Sequence, residues 1–180
     1  MKHYSEKISI KIKDGFTLIE TLVAIAVLMI AIAGPLTIAN KALTSALYSR
    51  DQSIASNLAQ ESMEIIKNVR DNNIVVGNDF LAGLTGCLNS GRCDAGTNKD
   101  GPDPEVSCSD QVNGCLIYLS DINGYNHDND GTPTLFSRHF VLTPIGADSS
   151  DYQVTVFVDW KEGTTPNQIS LHSELVNATR

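Results

Sequence analysis

Three patterns of polar and apolar residues follow one another along the chain. From Phe16 to Ala39 the run FTLIETLVAIAVLMIAIAGPLTIA contains a single ionisable residue, Glu20. About 20 residues of helix rise roughly 30 Å, the thickness of a hydrocarbon layer, so this run predicts a membrane-spanning helix over 16–40. Gly34 and Pro35 fall late in it, where a proline removes one helix hydrogen bond and crowds the preceding turn, which predicts a kink or local unwinding near 31–35. Over 41–71 the pattern turns amphipathic. Leu43, Leu47, Ile54, Leu58, Ile65 and Val69 recur at steps of four or seven, with Arg50, Asp51, Gln52, Glu61, Lys67 and Arg70 on other faces. That periodicity predicts that the helix continues to about residue 71.

Residues 72–114 show no sustained period and are rich in Gly, Asn and Asp, which predicts a loop-rich connection. Alternation of period two then takes over. CLIYLS and LFSRHFVLTPI are strand candidates, and YQVTVFVDW is the clearest, with Tyr152, Val154, Val156, Val158 and Trp160 on one face. KEGTTPN, residues 161–167, predicts a turn or short loop leading into QISLHSELV as an antiparallel partner. The predicted fold class is α+β: a long N-terminal helix packed on a small C-terminal antiparallel sheet.

Charge divides the chain at the apolar run. Residues 1–15, MKHYSEKISIKIKDG, carry four lysines against two acidic residues. Everything after Gly15 carries nine basic against nineteen acidic residues, a balance of −10 within an overall −8. Basic flanks stay on the cytoplasmic side, so the acidic part is expected outside as the external domain of a single-pass protein. The apolar run is longer than a secretory leader's core and continues into more helix, unlike a segment removed at a small-residue site. An acidic chain without a basic, aromatic-lined patch also excludes nucleic acid as a partner. With 180 residues, two large domains are excluded as well.

The order Gly15-Phe16-Thr17-Leu18-Ile19-Glu20, placed between a basic head and a long apolar run, resembles the processing signal of type IV pilins and type II secretion pseudopilins. The resemblance is strong over residues 11 to about 40. It implies cleavage after Gly15 by a prepilin peptidase, methylation of the new N-terminus to N-methylphenylalanine at Phe16, and an assembly role for Glu20. It also implies an inner-membrane filament assembly platform and other pilin or pseudopilin subunits as partners, with localisation to an extracytoplasmic filament. A weaker resemblance joins YQVTVFVDWKEG and QISLHSEL to the terminal strand pair of minor pilins and minor pseudopilins. On this basis the chain divides into a cleavable leader (1–15), a transmembrane and filament-core helix (16–40), its amphipathic continuation (41–71) and an external cysteine-containing α+β region (72–180). Beside the resemblance, a carboxylate such as Glu20 in an apolar helix is costly without a partner, and the amine of a neighbouring processed chain could supply one. The bland reading of Glu20 is a carboxylate tolerated near the headgroup boundary.

Cys87, Cys93, Cys108 and Cys115 all follow the apolar run, and four cysteines in an exported region are disulfide candidates. Three pairings can be drawn, of which Cys87 with Cys93 and Cys108 with Cys115 is the simplest. Zinc is disfavoured by the loose separations of five, fourteen and six intervening residues. The loop DINGYNHDNDG offers Asp121, Asn123, Asp128 and Asp130 as oxygen ligands for calcium, but without an EF-hand's terminal glutamate the loop fits an exposed Asx-rich turn better. No cofactor is required. Ser53, Ser56, Asp128 and His139 form no nucleophile–base spacing, and no phosphate-binding glycine loop or HExxH is present, so no enzyme is expected. The expected function is that of a structural minor subunit of a type IV pilus or a secretion pseudopilus. The alternative is a membrane-tethered adhesin or ligand-binding module that does not assemble, and an exported enzyme is the third reading.

Overall fold

A computed structural model describes residues 15–88, 93–98, 101–107, 115–127, 131–146 and 151–177. Among these residues one α-helix, α1, covers Leu18–Val76, and seven strands follow: β1 (Cys93–Asn98), β2 (Gly101–Ser107), β3 (Leu116–Ser120), β4 (Gly124–Asn126), β5 (Thr132–Ile145), β6 (Asp151–Glu162) and β7 (Thr165–Leu175). The chain divides into two compact units, Met1–Ala46 and Leu47–Arg180.

In the first unit, every described residue is exposed, and α1 is long and apolar enough here to cross a membrane. Thr17 Oγ1 accepts the Glu20 backbone N–H at 3.3 Å, capping the helix start. The expected unwinding near 31–35 is not observed, because helix runs unbroken through Gly34 and Pro35. A proline costs the ladder one donor, and the bonds on either side hold the segment helical.

In the second unit, the remainder of α1 packs on the sheet, giving the pilin-like arrangement of a long N-terminal helix against a C-terminal antiparallel sheet. The buried face of α1 differs from the expected stripe. It runs through Asp51, Ala55, Leu58, Ala59, Ser62, Met63, Ile65 and Ile66, whereas Leu47 is exposed and Ile54 and Val69 are only partly buried. Small residues at 55, 59 and 62 bring the helix backbone close to the sheet, a role that a search for large apolar residues overlooks. The helix ends at Val76, five residues beyond expectation. Gly77, at φ +81°, supplies the left-handed residue, and the N–H groups of Gly77 and Asn78 donate to Ile74 and Asn73 carbonyls at 3.2 and 2.9 Å.

The expected 72–114 loop is also corrected, since it holds the end of α1, a 3-10 turn at Thr85–Cys87 and the β1–β2 hairpin. Strand β5 is the hub of the sheet. One edge pairs with β6 from Ser137↔Asp159 to Ile145↔Asp151; the other meets β3 over Thr132–Ser137 and β1 at Cys93↔Phe140. β6 pairs with β7 over eleven positions, closed by Gly163 and Thr164, a tighter turn than the seven-residue KEGTTPN segment suggested. Val154, Val156, Val158 and Trp160 are buried as the alternation predicts. They share the core with Phe136, Phe140 and Leu142 of β5 and with Leu58 and Ile66 of α1.

Candidate functional site

Two places carry chemistry. The first is the start of α1. Gly15 and Phe16 precede the helix, and Phe16 is 81% exposed. Glu20 lies in the first helical turn, on the backbone group that Thr17 caps. Thr17 and Glu20 thus stand in the spacing of a capping box, a structural reason for these residue types that supplements any assembly role. A cut after Gly15 leaves Thr17 in the chain, so the helix start keeps its cap.

The second place lies inside the C-terminal unit and was not foreseen. Arg138 of β5 is fully buried. Its Nε and Nη2 donate to the two carboxylate oxygens of Asp94 on β1, at 2.6 and 3.2 Å. Its Nη1 donates to the Leu58 carbonyl and to Glu61 Oε2 of α1, both at 3.0 Å. His127, which follows β4, is also buried, with Nδ1 3.4 Å from Asp94 Oδ2. Gly96 completes the arrangement, because a Cβ there would run into Arg138 Nη2 and His127 Nδ1.

Burial favours the neutral form of Asp94, but the positive charge of Arg138 and the polar contacts of His127 and Arg138 outweigh it and hold the carboxyl below its ordinary range. Burial likewise works against the Arg138 charge, yet the negative charges of Asp94 and Glu61 make the guanidinium hold its own proton more tightly than usual. All three guanidinium nitrogens are occupied, which leaves no free edge to hold an anionic ligand. The cluster therefore fastens α1 to two strands. Its Glu61 side opens on a groove of about 270 Å³ lined by Ile54, Asn57, Leu58, Glu61 and Tyr125.

One sign of this site was present in the sequence. In LFSRHFVLTPI, Arg138 has the same parity as Phe136, Phe140 and Leu142, which places a charged side chain on the apolar face of a strand. Asp94, His127 and Gly96 gave no comparable signal.

The other candidates are dispersed. Cys87 and Cys93 form a disulfide, with Cα atoms 5.7 Å apart. Cys115 is buried and disulfide-bonded, while Cys108 lies outside the described residues. Asp121 and Asn123 sit in the turn between β3 and β4, and Asp128 and Asp130 lie outside the described residues. The polar loop around them is shorter than expected, because Gly124–Asn126 forms β4 and Asn126 is fully buried. Among the described residues no group of three or more His, Cys, Asp or Glu is placed to hold a metal ion. Ser53 is exposed, Ser56 Oγ accepts from Gln60 at 3.5 Å, and His139 instead faces Asp159 at 3.6 Å and stacks on Phe157.

Residues 10–34 match the prokaryotic N-terminal methylation motif, which is characteristic of type IV pilin-like proteins and implies processing by a prepilin peptidase/methyltransferase. Comparison with curated proteins and with solved structures finds no match to this chain.

Proposed function

We propose that the chain is a structural subunit of a type IV pilus or type II secretion pseudopilus, present as a minor component and assembled after leader cleavage and N-terminal methylation. The observation that carries this reading is the methylation motif over residues 10–34 at the head of an exposed apolar helix, in a chain with a pilin-like fold. Cleavage after Gly15 removes a head of charge +2 and leaves the amine of Phe16 two residues before α1. The membrane holds the apolar helix until an assembly platform transfers it into a bundle of like helices. Lipid and protein surroundings are similarly apolar, so that transfer is driven by close packing and polar pairing more than by the hydrophobic effect. Glu20 supplies the polar pairing: its carboxylate meets the Phe16 amine of a neighbouring subunit, and each group satisfies a charge that is costly alone in an apolar bundle.

Peptide mapping of membrane and sheared-filament fractions, in cells with and without the prepilin peptidase, tests the proposal. The expected result is a chain beginning at methylated Phe16 in the filament fraction, and a retained leader when the peptidase is absent. An uncleaved chain in both backgrounds, absent from filaments, would overturn it in favour of a membrane-tethered module.

A further inference from the structure

We infer that the Cys87–Cys93 disulfide and the Arg138 cluster form a redox-gated latch, in which closing the disulfide fastens α1 to the sheet. The coupling lies within the C-terminal unit and holds whether or not the chain enters a filament. It follows from where the disulfide meets β1, one residue from Asp94. Among the described residues the β1–β2 hairpin has one ladder pair with the central sheet, Cys93↔Phe140, beside the buried side chains of Cys93 and Ala95, and the ladder between β1 and β2 is itself irregular between Asp94 and Gly96.

Position 93 therefore bears both the hairpin's only ladder attachment among the described residues and the disulfide to Cys87, which ends the 3-10 turn after α1. The next residue, Asp94, carries the carboxylate that takes two of the three nitrogens of Arg138. The remaining nitrogen holds Leu58 and Glu61 of α1. Disulfide, carboxylate, guanidinium and helix thus stand in one contiguous series. Opening the disulfide removes the covalent tether one residue from Asp94, which is then held by the Cys93↔Phe140 pairing, the burial of Cys93 and Ala95 and its own bonds to Arg138. Losing Asp94 leaves a buried cation with one half-exposed carboxylate as its charge partner, and such a cation draws water into the contact between α1 and β5.

The chemistry balances as thiol–disulfide exchange. Closure joins the two sulfurs with loss of two protons and two electrons to a donor disulfide, which leaves as two thiols. Reopening by glutathione converts two glutathione thiols into one glutathione disulfide and returns Cys87 and Cys93 to thiols. Because coupling is reciprocal, a disulfide that stabilises the latch is itself stabilised by the latch.

That reciprocity gives the test. The full chain in detergent micelles is equilibrated in graded glutathione redox buffers and quenched, and alkylation of Cys87 and Cys93 is read by mass spectrometry. Asp94→Asn is expected to make the disulfide at least tenfold easier to reduce. Glu61→Gln, on the far side of Arg138, is expected to make it at least threefold easier, and Thr164→Ala in the β6–β7 turn to leave it within twofold of the parent. A parent-like value for Glu61→Gln overturns the latch even if Asp94→Asn shifts, because the effect then stops short of α1. Should Asp94→Asn unfold the chain, as a red-shifted Trp160 emission would show, the Glu61→Gln value decides by itself.

Discussion

Replacing Asp94 by alanine removes the bidentate partner of a fully buried arginine. The loss of one member of a buried ion pair costs about 3–5 kcal/mol, most of it from the charge left behind. Leu58 O and Glu61 Oε2 remain 3.0 Å from Arg138, so the lower end, about 3 kcal/mol, is expected. With a urea slope of about 2 kcal/mol/M for a domain of this size, the unfolding midpoint should fall by about 1.5 M. Trp160, the only tryptophan, is buried beside Tyr48 and Phe136, so its emission reports unfolding of the C-terminal unit directly. The loss should also depend on pH. The Asp94 carboxyl is held below its ordinary value of 3.8, so its contribution is fully present above that value and disappears as the pH falls through the lower folded-state value. The parent and Asp94→Ala should therefore differ equally at pH 7 and pH 5 and converge only below about pH 4. Replacing Asp94 by leucine and Arg138 by methionine together removes both buried charges, and should recover all but about 1 kcal/mol, since Glu61 can return to water. A loss below about 1 kcal/mol for Asp94→Ala, or equal losses for the single and paired replacements, would refute the reasoning.

Four further outcomes are expected. Gly96→Ala forces a methyl group into Arg138 and His127 and should destabilise the C-terminal unit by about 1–3 kcal/mol in the same urea assay. Phe140→Ala empties a fully buried site against β6 and α1 and should cost about 3–5 kcal/mol, read as the shift in urea midpoint. Glu20→Gln keeps a residue suited to the capping position but removes the charge, and on the proposed function it should leave leader cleavage intact while the sheared-filament fraction loses the chain. Calcium titration of the full chain, read by the thermal midpoint and the signals of Asp121 and Asn123, separates the two readings of this loop: an Asx-rich turn held by Ser120 Oγ gives no saturable shift. A saturable shift would establish the oxygen-ligand site instead.

The features legible in the sequence are those with a strong period. Val154 to Trp160 alternate cleanly and are buried as a stripe, and the apolar run from Phe16 forms the expected helix. The methylation motif was legible as a resemblance because it depends on local order, with no long-range contact required. The inward face of α1 was less so, since Ala55, Ala59 and Ser62 are inward because they are small, and a count of large apolar residues passes over them. The β1–β2 hairpin was hidden because CDAGTN and GPDPEVS show no alternation and pair through backbone groups. The Arg138 cluster was hidden for a different reason: its members come from α1, β1 and β5, as far as 80 positions apart, and nothing local joins them.

The eleven-pair β6–β7 hairpin is closed by two residues, whereas the bonds fastening α1 to Arg138 span 77 and 80 positions. Contacts between near neighbours in sequence form fast, and those that must close a long loop form slowly. The hairpin is thus expected to form early and the docking of α1 late. On a ribosome the order is stricter still: Ala55 to Ile66 emerge well before β5 exists to cover them, so the nascent chain passes through an interval with this face unshielded. Substitutions in the hairpin should therefore slow folding, and those around Arg138 should chiefly hasten unfolding.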